Sequence, residues 1–375
     1  MFKKLVLILS VTIFYSCSPD AETKKDNSFH TVSLSYAKRF TVKTCSDYNV
    51  LELHGNKNDS DVTATFVLYK KQKPNYSKNA YYIKTPVTRV ASMSSIYTTM
   101  IAQLNCADKI VAIDNVDYYN NSLIQEQAKK GSIIELSKGP QLDIEKTIAL
   151  NPDLFLTFGM GSPKDDVDKK LVQSTIPIAV SIDHLEETPL ARAEWIKFYA
   201  YFFNKETLAD SLFKITEQKY NELKNIALQT TKKPSVLTEI KYGDAWYIPA
   251  GKSFIAHLIE DAGGDYFWKE DTKTGSSAQS FETVYAKAKD CDVWINLYNL
   301  NSKKELLSYD ERYGLFKACQ NNQLYNNNKI QNALGYSNYW ETGITHPEDV
   351  LADLIAIFSP TLMPNHEFKY YKKLE

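Results

Sequence analysis

The order of apolar and polar positions divides the chain into a β-rich beginning and a longer, alternating body. β-Branched and aromatic residues dominate three runs, which start at Phe40, Tyr48 and Thr63, and such runs are typical of strands. A polar stretch that begins at Gly55 separates the second run from the third and indicates a turn. We therefore predict a small sheet extension over residues 29–84.

From Thr88 onward, short apolar runs alternate with segments of helical periodicity. Predicted strands lie at 89–92, 109–113, 154–158, 176–180, 235–240 and 292–296, and predicted helices at 95–104, 143–150, 164–173, 253–262, 281–289 and 349–358. Alternation of this kind predicts parallel sheets covered by helices. The predicted fold class is therefore α/β.

A long helical segment interrupts this alternation. Residues 190–229 have helical periodicity almost throughout, with a break at Asn204 and Lys205. The part from Lys205 onward would be about 35 Å long at 1.5 Å per residue, enough to connect two lobes. We predict two Rossmann-like lobes with mostly parallel sheets, at 85–204 and 231–375, joined by a linker helix at 205–230.

The beginning of the chain has the pattern of an export signal. Two lysines precede an apolar run from Leu5 to Phe14, and about ten apolar residues are too few to span a bilayer. The segment Phe14-Tyr-Ser-Cys17 resembles a bacterial lipobox, although Phe14 stands where leucine is usual. We predict a signal peptide at 1–16, lipidation of Cys17 and a polar tether at 17–28; the alternative is ordinary secretion.

Composition excludes several classes of partner. The 375 residues carry a formal net charge of -1, so no basic field would attract nucleic acid. The chain has 25 tyrosines, which often line binding surfaces. Arginine is scarce, and this argues against a highly anionic ligand because arginine usually recognises such groups. The arginines are Arg39, Arg89, Arg192 and Arg312.

Four cysteines remain besides Cys17, namely Cys45, Cys106, Cys291 and Cys319. Outside the cytoplasm they could oxidise, and Cys291 with Cys319 would be the pair within one lobe. The alternative is four buried free thiols. Their spacing is not that of a zinc site.

Two segments in the two halves echo each other. In the first, Asp143-Ile-Glu145 opens a helix and Asp153 precedes a buried strand; in the second, Ser280-Phe-Glu282 and Asp292 do the same. Two lobes built alike would place Glu145 and Glu282 at corresponding tips.

These motifs resemble the substrate-binding proteins of ABC importers for iron-siderophore, heme and cobalamin complexes, in which one stiff helix joins two α/β lobes. The resemblance covers roughly residues 86–375. It is carried by Asn-Pro-Asp-Leu at 151–154, Ala-Gly-Gly-Asp at 262–265, the segments 282–295 and 339–347, and Ile-Phe-Ser-Pro at 357–360. It implies that Glu145 and Glu282 dock into arginine pockets of a permease; the alternative is that each only stabilises its helix start.

The resemblance also implies a ligand between the lobes, next to the loops that follow the strand ends. The predicted ligand-binding residues are Ser94, Tyr97, Tyr118, Tyr119, Gly159, Trp246, Tyr247 and Tyr298. Aromatic walls suit a corrin, a porphyrin or a catecholate complex. We expect a monomeric protein without a cofactor, anchored by lipid to a bacterial membrane in the periplasm or at the cell surface, that delivers a metal complex to an ABC permease.

Three alternatives were weighed against this function. The same ligands could bind to a lipoprotein that has no importer partner. Zinc or manganese could bind directly, with His184 near a strand end as one ligand, although a full ligand set is hard to assemble. Catalysis by Glu145 and Glu282 is disfavoured, since separate lobe tips exceed the roughly 5–10 Å that a glycosidase pair needs.

Overall fold

The computed structural model describes residues 28–55, 61–139 and 141–375. The predicted signal peptide, Cys17 and nearly all of the predicted tether lie outside these residues. None of the helices in the described ranges combines the length and the apolar composition that a bilayer crossing needs.

The N-terminal extension is a five-stranded sheet in sequence order. Its strands are β1 (His30–Val32), β2 (Phe40–Thr44), β3 (Tyr48–His54), β4 (Val62–Tyr69) and β5 (Tyr81–Lys84). The first four strands pair antiparallel, and β5 pairs parallel with β4. The three runs predicted as strands are β2, β3 and β4, so their content of β-branched and aromatic residues indicated the correct structure.

Two buried carboxylates of the following lobe fasten the extension to it. Glu194 accepts hydrogen bonds from the backbone N–H groups of residues 35–37, with N···O distances of 2.8–3.0 Å. Glu186 accepts from the N–H groups of residues 38–39 at 2.9–3.2 Å and from the indole N–H of Trp195 at 3.0 Å. These bonds to charged acceptors hold the segment before β2 in one position.

The N-terminal lobe contains an all-parallel sheet in the order β12-β11-β6-β7-β8. Its strands are β6 (Val90–Ser92), β7 (Ile110–Ile113), β8 (Ile134–Glu135), β11 (Leu154–Phe158) and β12 (Ile178–Ser181), and β9 (Ser137–Lys138) pairs with β10 (Gln141–Leu142) beside it. Its helices are α1 (Ser95–Gln103), α2 (Ser122–Lys129), α3 (Ile144–Leu150), α4 (Pro163–Asp166), α5 (Lys169–Val172), α6 (Pro189–Glu194) and α7 (Ile196–Phe203).

One predicted helix of this lobe is divided in the structure. The segment predicted at 164–173 forms α4 and α5, because Val167 between them is extended. Asp168 then caps α5 by accepting a hydrogen bond from the Lys170 backbone N–H at 2.8 Å. Aspartate at such a position starts a new helix rather than continuing the previous one.

The linker helix α8 (Glu206–Ala227) is 22 residues long. Asn204 has a left-handed backbone with φ 55 and ends α7, which confirms the predicted break. The structure shows which face of α8 is buried. Ile215 is 53% exposed, whereas Phe213 and Tyr220 are buried against α7 and the C-terminal helices. Periodicity alone did not identify which side of a helix with two apolar flanks would be covered.

The C-terminal lobe has a second sheet, in the order β16-β13-β18-β19-β20, in which only β20 is antiparallel to its neighbour. Its strands are β13 (Ser235–Thr238), β16 (Asp265–Tyr266), β18 (Val293–Ile295), β19 (Leu324–Asn326) and β20 (Lys372–Lys373). An antiparallel sheet that was not predicted consists of β14 (Lys241–Tyr242), β15 (Ala245–Pro249) and β17 (Ser276–Gln279).

Helices cover this second sheet as they cover the first. They are α9 (Phe254–Asp261), α10 (Phe281–Ala288), α11 (Lys303–Tyr309), α12 (Lys317–Gln320), α13 (Thr342–Thr345) and α14 (Pro347–Phe358). Single 3-10 turns lie at Ala107–Lys109, Val116–Tyr118, Asp183–Leu185, Glu311–Leu315 and Asn338–Trp340. The predicted α/β class with mostly parallel sheets is confirmed.

The sequence repeat corresponds to a structural repeat. Asp153 before β11 accepts a hydrogen bond from the Arg89 backbone N–H at 3.0 Å, at the start of β6. Asp292 before β18 accepts one from the Ser235 backbone N–H at 3.0 Å, at the start of β13. Each aspartate thus links the strand it precedes to the neighbouring parallel strand, and the two halves of the molecule use the same local device.

A polar contact joins the lobes in addition to the linker helix. The Glu341 carboxylate is 1% exposed. It accepts hydrogen bonds from the backbone N–H groups of Asn120 and Asn121 at 2.6 and 3.2 Å. The side-chain amide of Asn332 donates to the Asp117 carbonyl at 2.6 Å. The C-terminal lobe therefore contacts the N-terminal lobe directly beside α1.

The cysteines of the described residues are free thiols. Cys106, Cys291 and Cys319 are buried, and Cys45 is partly exposed. Burial raises the pKa of the Cys291 thiol to about 12. Of the two alternatives considered for the cysteines, the structure has free thiols rather than a Cys291–Cys319 disulfide.

Candidate functional site

A cavity of about 540 Å³ lies where the two lobes face each other. The N-terminal lobe contributes His184, Glu186 and Arg192 to its wall, all from the segment after β12. The C-terminal lobe contributes the ends of β13, β15 and β17 and the start of α9. The C-terminal lining residues include Glu239, Lys241, Tyr242, Tyr247, Ser253, Phe254, Tyr298, Tyr309 and Trp340.

Five aromatic side chains on this wall remain half exposed. Their exposed fractions are 65% for Tyr242, 52% for Tyr247, 54% for Tyr298, 46% for Tyr309 and 50% for Trp340. Large rings left open to solvent inside a concave site are unusual unless something covers them. The apolar wall with a few charged groups is typical of a small-molecule site.

The cavity continues as a groove along the N-terminal lobe. Trp340 also lines a cavity of about 260 Å³ together with Ser94, Tyr118 and Phe158. Tyr118 and Phe158 in turn line a cavity of about 590 Å³ at the ends of the N-terminal strands, beside Asp114. The shared residues show that one groove passes the strand ends of both lobes, where ligands of open α/β sheets bind.

Three residues that follow β13 and β18, in or beside the wall of the cavity of about 540 Å³, have an unusual backbone. Glu239, Asn296 and Tyr298 all adopt left-handed φ values, of 63, 59 and 53. For residues with a side chain this conformation costs about 1–2 kcal/mol. The Trp294 indole N–H donates to the Glu239 carbonyl at 2.8 Å, and the Asn326 amide donates to the Tyr298 carbonyl at 2.8 Å. The fold thus holds these strained strand ends in place before any ligand arrives.

Electrostatics in the cavity favour neutral groups near pH 7. Desolvation raises the pKa of the Glu239 carboxyl to about 7. Desolvation also lowers the pKa of His184, because the cavity wall disfavours the charged ring. Arg192 is paired with Asp183 at 3.2 Å, so its charge is largely offset. Burial therefore shifts Glu239 and His184 towards their neutral forms, while Lys241 and Glu186 also line the cavity.

Comparison with known proteins identifies the family to which a chain with this architecture belongs. Residues 90–329, more than half of the chain, match the family described as periplasmic binding protein.

The chain belongs to the periplasmic binding protein family.

Relatives and solved structures agree with this assignment. An uncharacterized lipoprotein of Methanocaldococcus jannaschii is 26% identical over 310 residues, which are 80% of this chain and 72% of the relative. A possible iron-binding periplasmic solute-binding protein from Staphylococcus epidermidis has a TM-score of 0.57 at 17% identity and matches 73% of this chain and 100% of that one. CeuE of Helicobacter pylori with Ni(II) bound has a TM-score of 0.56 at 17% identity, over 76% and 88% of the two chains. At these identities the structures show the shared two-lobe fold.

In this periplasmic binding protein, several of the predicted ligand-binding residues lie along the groove. Tyr247 and Tyr298 line the cavity of about 540 Å³. Tyr118 lines the cavities of about 590 and 260 Å³, and Ser94 lines the cavity of about 260 Å³. Ser94 also accepts a hydrogen bond from the Ile96 backbone N–H at 3.3 Å and so caps α1. Whether they contact a ligand stays a prediction.

The positions of three predicted rings need correction. Tyr97 is 2% exposed, and Tyr119 and Trp246 are fully buried, so they lie in the cores of the lobes rather than on the cavity wall. Trp246 and Tyr247 are neighbours on β15, and neighbours on a strand face opposite sides. Tyr118 and Tyr119 also differ, one partly exposed and one buried. In each of these two pairs of adjacent aromatic residues, one ring lies in the groove and the other lies in the core.

Gly159 has a conformational role beside the groove. It is buried, and a Cβ atom at this position would collide with the side chain of Asp166. The Asp166 carboxylate accepts hydrogen bonds from the backbone N–H groups of residues 160–162 at 2.8–2.9 Å. The glycine therefore permits a tight loop after β11, as its residue type suggested.

Three of the five half-exposed rings of the cavity were not predicted from the sequence. Tyr242 belongs to the unpredicted strand β14, where it pairs with Ala245 of β15, and a strand of two residues is too short to show an alternating pattern. Tyr309 at the end of α11 and Trp340 in a 3-10 turn approach from distant parts of the chain. No local pattern marks such residues, because only the folding of the C-terminal lobe brings them to the cavity.

The two candidate docking glutamates occupy matching positions. Glu145 is the second residue of α3 and Glu282 the second residue of α10. Their side chains are 84% and 76% exposed, and each has one distant ion-pair partner at 3.4 Å, Lys170 and Arg312 respectively. Hydrogen bonds from its own backbone N–H and from the Ser280 hydroxyl, together with Arg312, hold the pKa of Glu282 below its usual value. Both carboxylates are therefore available to a partner on the protein surface.

A pH dependence of stability follows from Glu239. Its pKa rises from 4.5 to about 7 on folding, so between these values the folded state binds more protons than the unfolded state. The contribution to the free energy of unfolding is then present in full below about pH 4.5 and is lost as the pH rises through 7. Urea unfolding measures the free energy of unfolding of the wild type and of Glu239→Gln at pH 5 and at pH 8. The decrease in this free energy from pH 5 to pH 8 should be smaller for the variant than for the wild type. Equal decreases would contradict the assignment.

Proposed function

We propose that this protein captures a metal-chelate nutrient, such as a cobalamin, heme or ferric siderophore, in the cavity between its lobes and delivers it to the permease of an ABC importer. The observation that carries this proposal is the wall of five half-exposed rings in the cavity. Flat rings of a macrocycle or a catecholate pack well against such side chains. The volume of about 540 Å³ is in the usual range for small-molecule sites.

The polar groups of the cavity support the same ligand class. A neutral His184 can offer an imidazole nitrogen to the metal of a bound chelate. A protonated Glu239 can donate a hydrogen bond to a neutral ligand group. The comparison structures named for iron and for Ni(II) support metal-containing ligands, although at 17% identity they concern the fold alone.

Location and partner belong to the proposal as well. The lipobox-like segment ending at Cys17 and the lipoprotein relatives support a lipid anchor outside the cytoplasm. The exposed Glu145 and Glu282, one on each lobe, support docking of a monomer to a two-subunit permease. The direct contacts beside the linker helix support a modest closure of the lobes rather than a wide hinge.

Replacement of Trp340 should weaken ligand binding. Titration of the purified protein with cyanocobalamin, hemin and ferric siderophores, followed by tryptophan fluorescence, identifies the ligand. Isothermal titration calorimetry then compares the wild type with Trp340→Ala, whose lost ring contact should reduce affinity about tenfold or more.

Phe29→Ala provides the matched control, since Phe29 is a partly exposed ring of the N-terminal extension. Its affinity should equal that of the wild type. Binding of no chelate in the panel, or equal affinities for wild type and Trp340→Ala, would reject the proposed cavity.

A further inference from the structure

Three potential metal ligands meet at a second place, outside the groove. His346, Glu348 and Asp349 offer ligand atoms that all lie within 4.8 Å of one another. They occupy the N-cap and the first turn of α14. A separate cavity of about 350 Å³ contains all three residues, and none of them lines the groove between the lobes.

Helices from different parts of the molecule converge on this place. The Gln103 side-chain amide, at the end of α1 in the N-terminal lobe, lies 2.8 Å from His346 Nε2. The Thr216 hydroxyl, on the linker helix, donates to Glu348 Oε1 at 3.3 Å. The cluster therefore lies where the N-terminal lobe, the linker helix and the C-terminal lobe meet.

Glu348 shows that the polar contacts at this place are incomplete. The residue is 4% exposed, and its Oε2 atom is buried without a hydrogen-bond partner. A buried carboxylate oxygen without a partner is costly and rare. Oε1 has two neighbours, Thr216 and the His346 Nδ1 atom at 3.3 Å. The second oxygen therefore lacks the positive partner that a buried carboxylate requires.

A purely structural role explains only part of this arrangement. Acidic residues in the first turn of a helix interact favourably with its dipole, and Asp349 forms an ion pair with Lys369 at 2.6 Å. Neither interaction supplies a partner for Glu348 Oε2. A cation bound between the three side chains would do so, and the Asp349 carboxylate has two oxygens, so it can bind both Lys369 and a metal ion.

We propose that His346, Glu348 and Asp349 bind one divalent transition-metal ion, with Zn²⁺ as the best match. Zn²⁺ binds imidazole nitrogen and carboxylate oxygen at about 2.0–2.2 Å, and water can complete a tetrahedral shell around three protein ligands. Ligand atoms around Zn²⁺ are about 3.4 Å apart when the bonds are about 2.1 Å. Ligand atoms that are now up to 4.8 Å apart must therefore approach one another by up to about 1.4 Å, which rotation of the partly exposed His346 and Asp349 permits.

Gln103 would act as a positioning residue for this ion. The Gln103 atom that lies 2.8 Å from His346 Nε2 is the amide nitrogen. If His346 ligates through Nδ1, its Nε2 carries the proton, and a 180° turn of the Gln103 amide places the amide oxygen there to accept it. The ion would then connect the start of α14 with the end of α1. Because α1 begins at Ser94 in the groove, the ion would restrain the helix that contacts both sites. This site does not depend on which ligand the groove binds.

Calorimetric titration with ZnCl₂ tests the proposal on untagged protein dialysed against EDTA. The wild type should bind one Zn²⁺ per chain. His346→Gln and Asp349→Asn, both at partly exposed side chains, should each lower the affinity by about a hundredfold, and Gln103→Ala by about tenfold. Zn²⁺ should raise the melting temperature of the wild type but not that of His346→Gln.

Two further variants locate the ion. His30→Gln removes an exposed histidine of the extension, and His184→Gln removes the histidine of the groove; both should bind Zn²⁺ like the wild type. Loss of binding in His184→Gln with retention in His346→Gln would place the ion in the groove and reject the second site. Absence of Zn²⁺ binding by the folded wild type at micromolar concentrations would also reject it.

Discussion

The double variant Glu145→Ala with Glu282→Ala is expected to bind its ligand like the wild type and to lose transport. Both carboxylates are exposed by more than three quarters and stand at the same position of a repeated helix, and neither lines the cavity. Charge-assisted pairs with arginine are among the stronger surface contacts. When two such pairs form at once, the affinity of the complex exceeds the affinity that either pair alone would give. Uptake of radiolabelled ligand by cells carrying the variant should therefore fall to background.

A matched double variant separates docking from general charge effects. Glu126→Ala with Glu305→Ala also removes one exposed carboxylate from each lobe, outside the repeated Glu145 and Glu282 positions, and should leave uptake unchanged. Normal uptake by the variant with both Glu145 and Glu282 replaced would contradict docking to a permease through these two residues. Loss of ligand affinity in that variant would instead show that the two glutamates serve the cavity.

Glu194→Ala is expected to cause the largest loss of stability among single substitutions in the extension contact. The side chain is fully buried and accepts hydrogen bonds from three backbone N–H groups and from Lys197. Removal leaves these donors and a nearby lysine without their anion, and breaking a buried charged network costs about 3–5 kcal/mol. Urea unfolding should show this decrease, and proteolysis should cut near residues 35–37 at lower protease concentrations than in the wild type.

Glu222→Ala serves as the reference, since Glu222 is exposed on the linker helix and its loss should change stability by less than about 0.5 kcal/mol. Glu194→Gln keeps one acceptor oxygen, so its free energy of unfolding should lie between those of Glu194→Ala and Glu222→Ala. A Glu194→Ala protein with the stability of the wild type would mean that the extension is held by its apolar contacts alone.

Local sequence patterns determined much of the architecture. Runs of β-branched and aromatic residues predicted β2, β3 and β4, and the alternation after Thr88 predicted parallel sheets in two lobes. Asn204 marked the end of α7 because asparagine tolerates the left-handed conformation. The repeated helix and strand motifs were visible in the sequence for two reasons. Each lobe caps the helix with a side-chain oxygen, that of Asp143 or of Ser280, and each has an aspartate before the strand that bonds to the neighbouring strand.

The candidate site was predicted only in part, and the reason lies in the range of the interactions. Residue type and strand ends pointed to Tyr118, Tyr247 and Tyr298, but not to which of two adjacent rings enters the core. Other features depend on contacts between segments far apart in the chain. They are the positions of Tyr309 and Trp340 in the cavity, the raised pKa of Glu239 and the cluster at His346. Local sequence determined the elements and their repetition. Only the packing of the two lobes decided which side chains are desolvated, strained or left open, because burial is a property of the assembled surfaces and not of a segment.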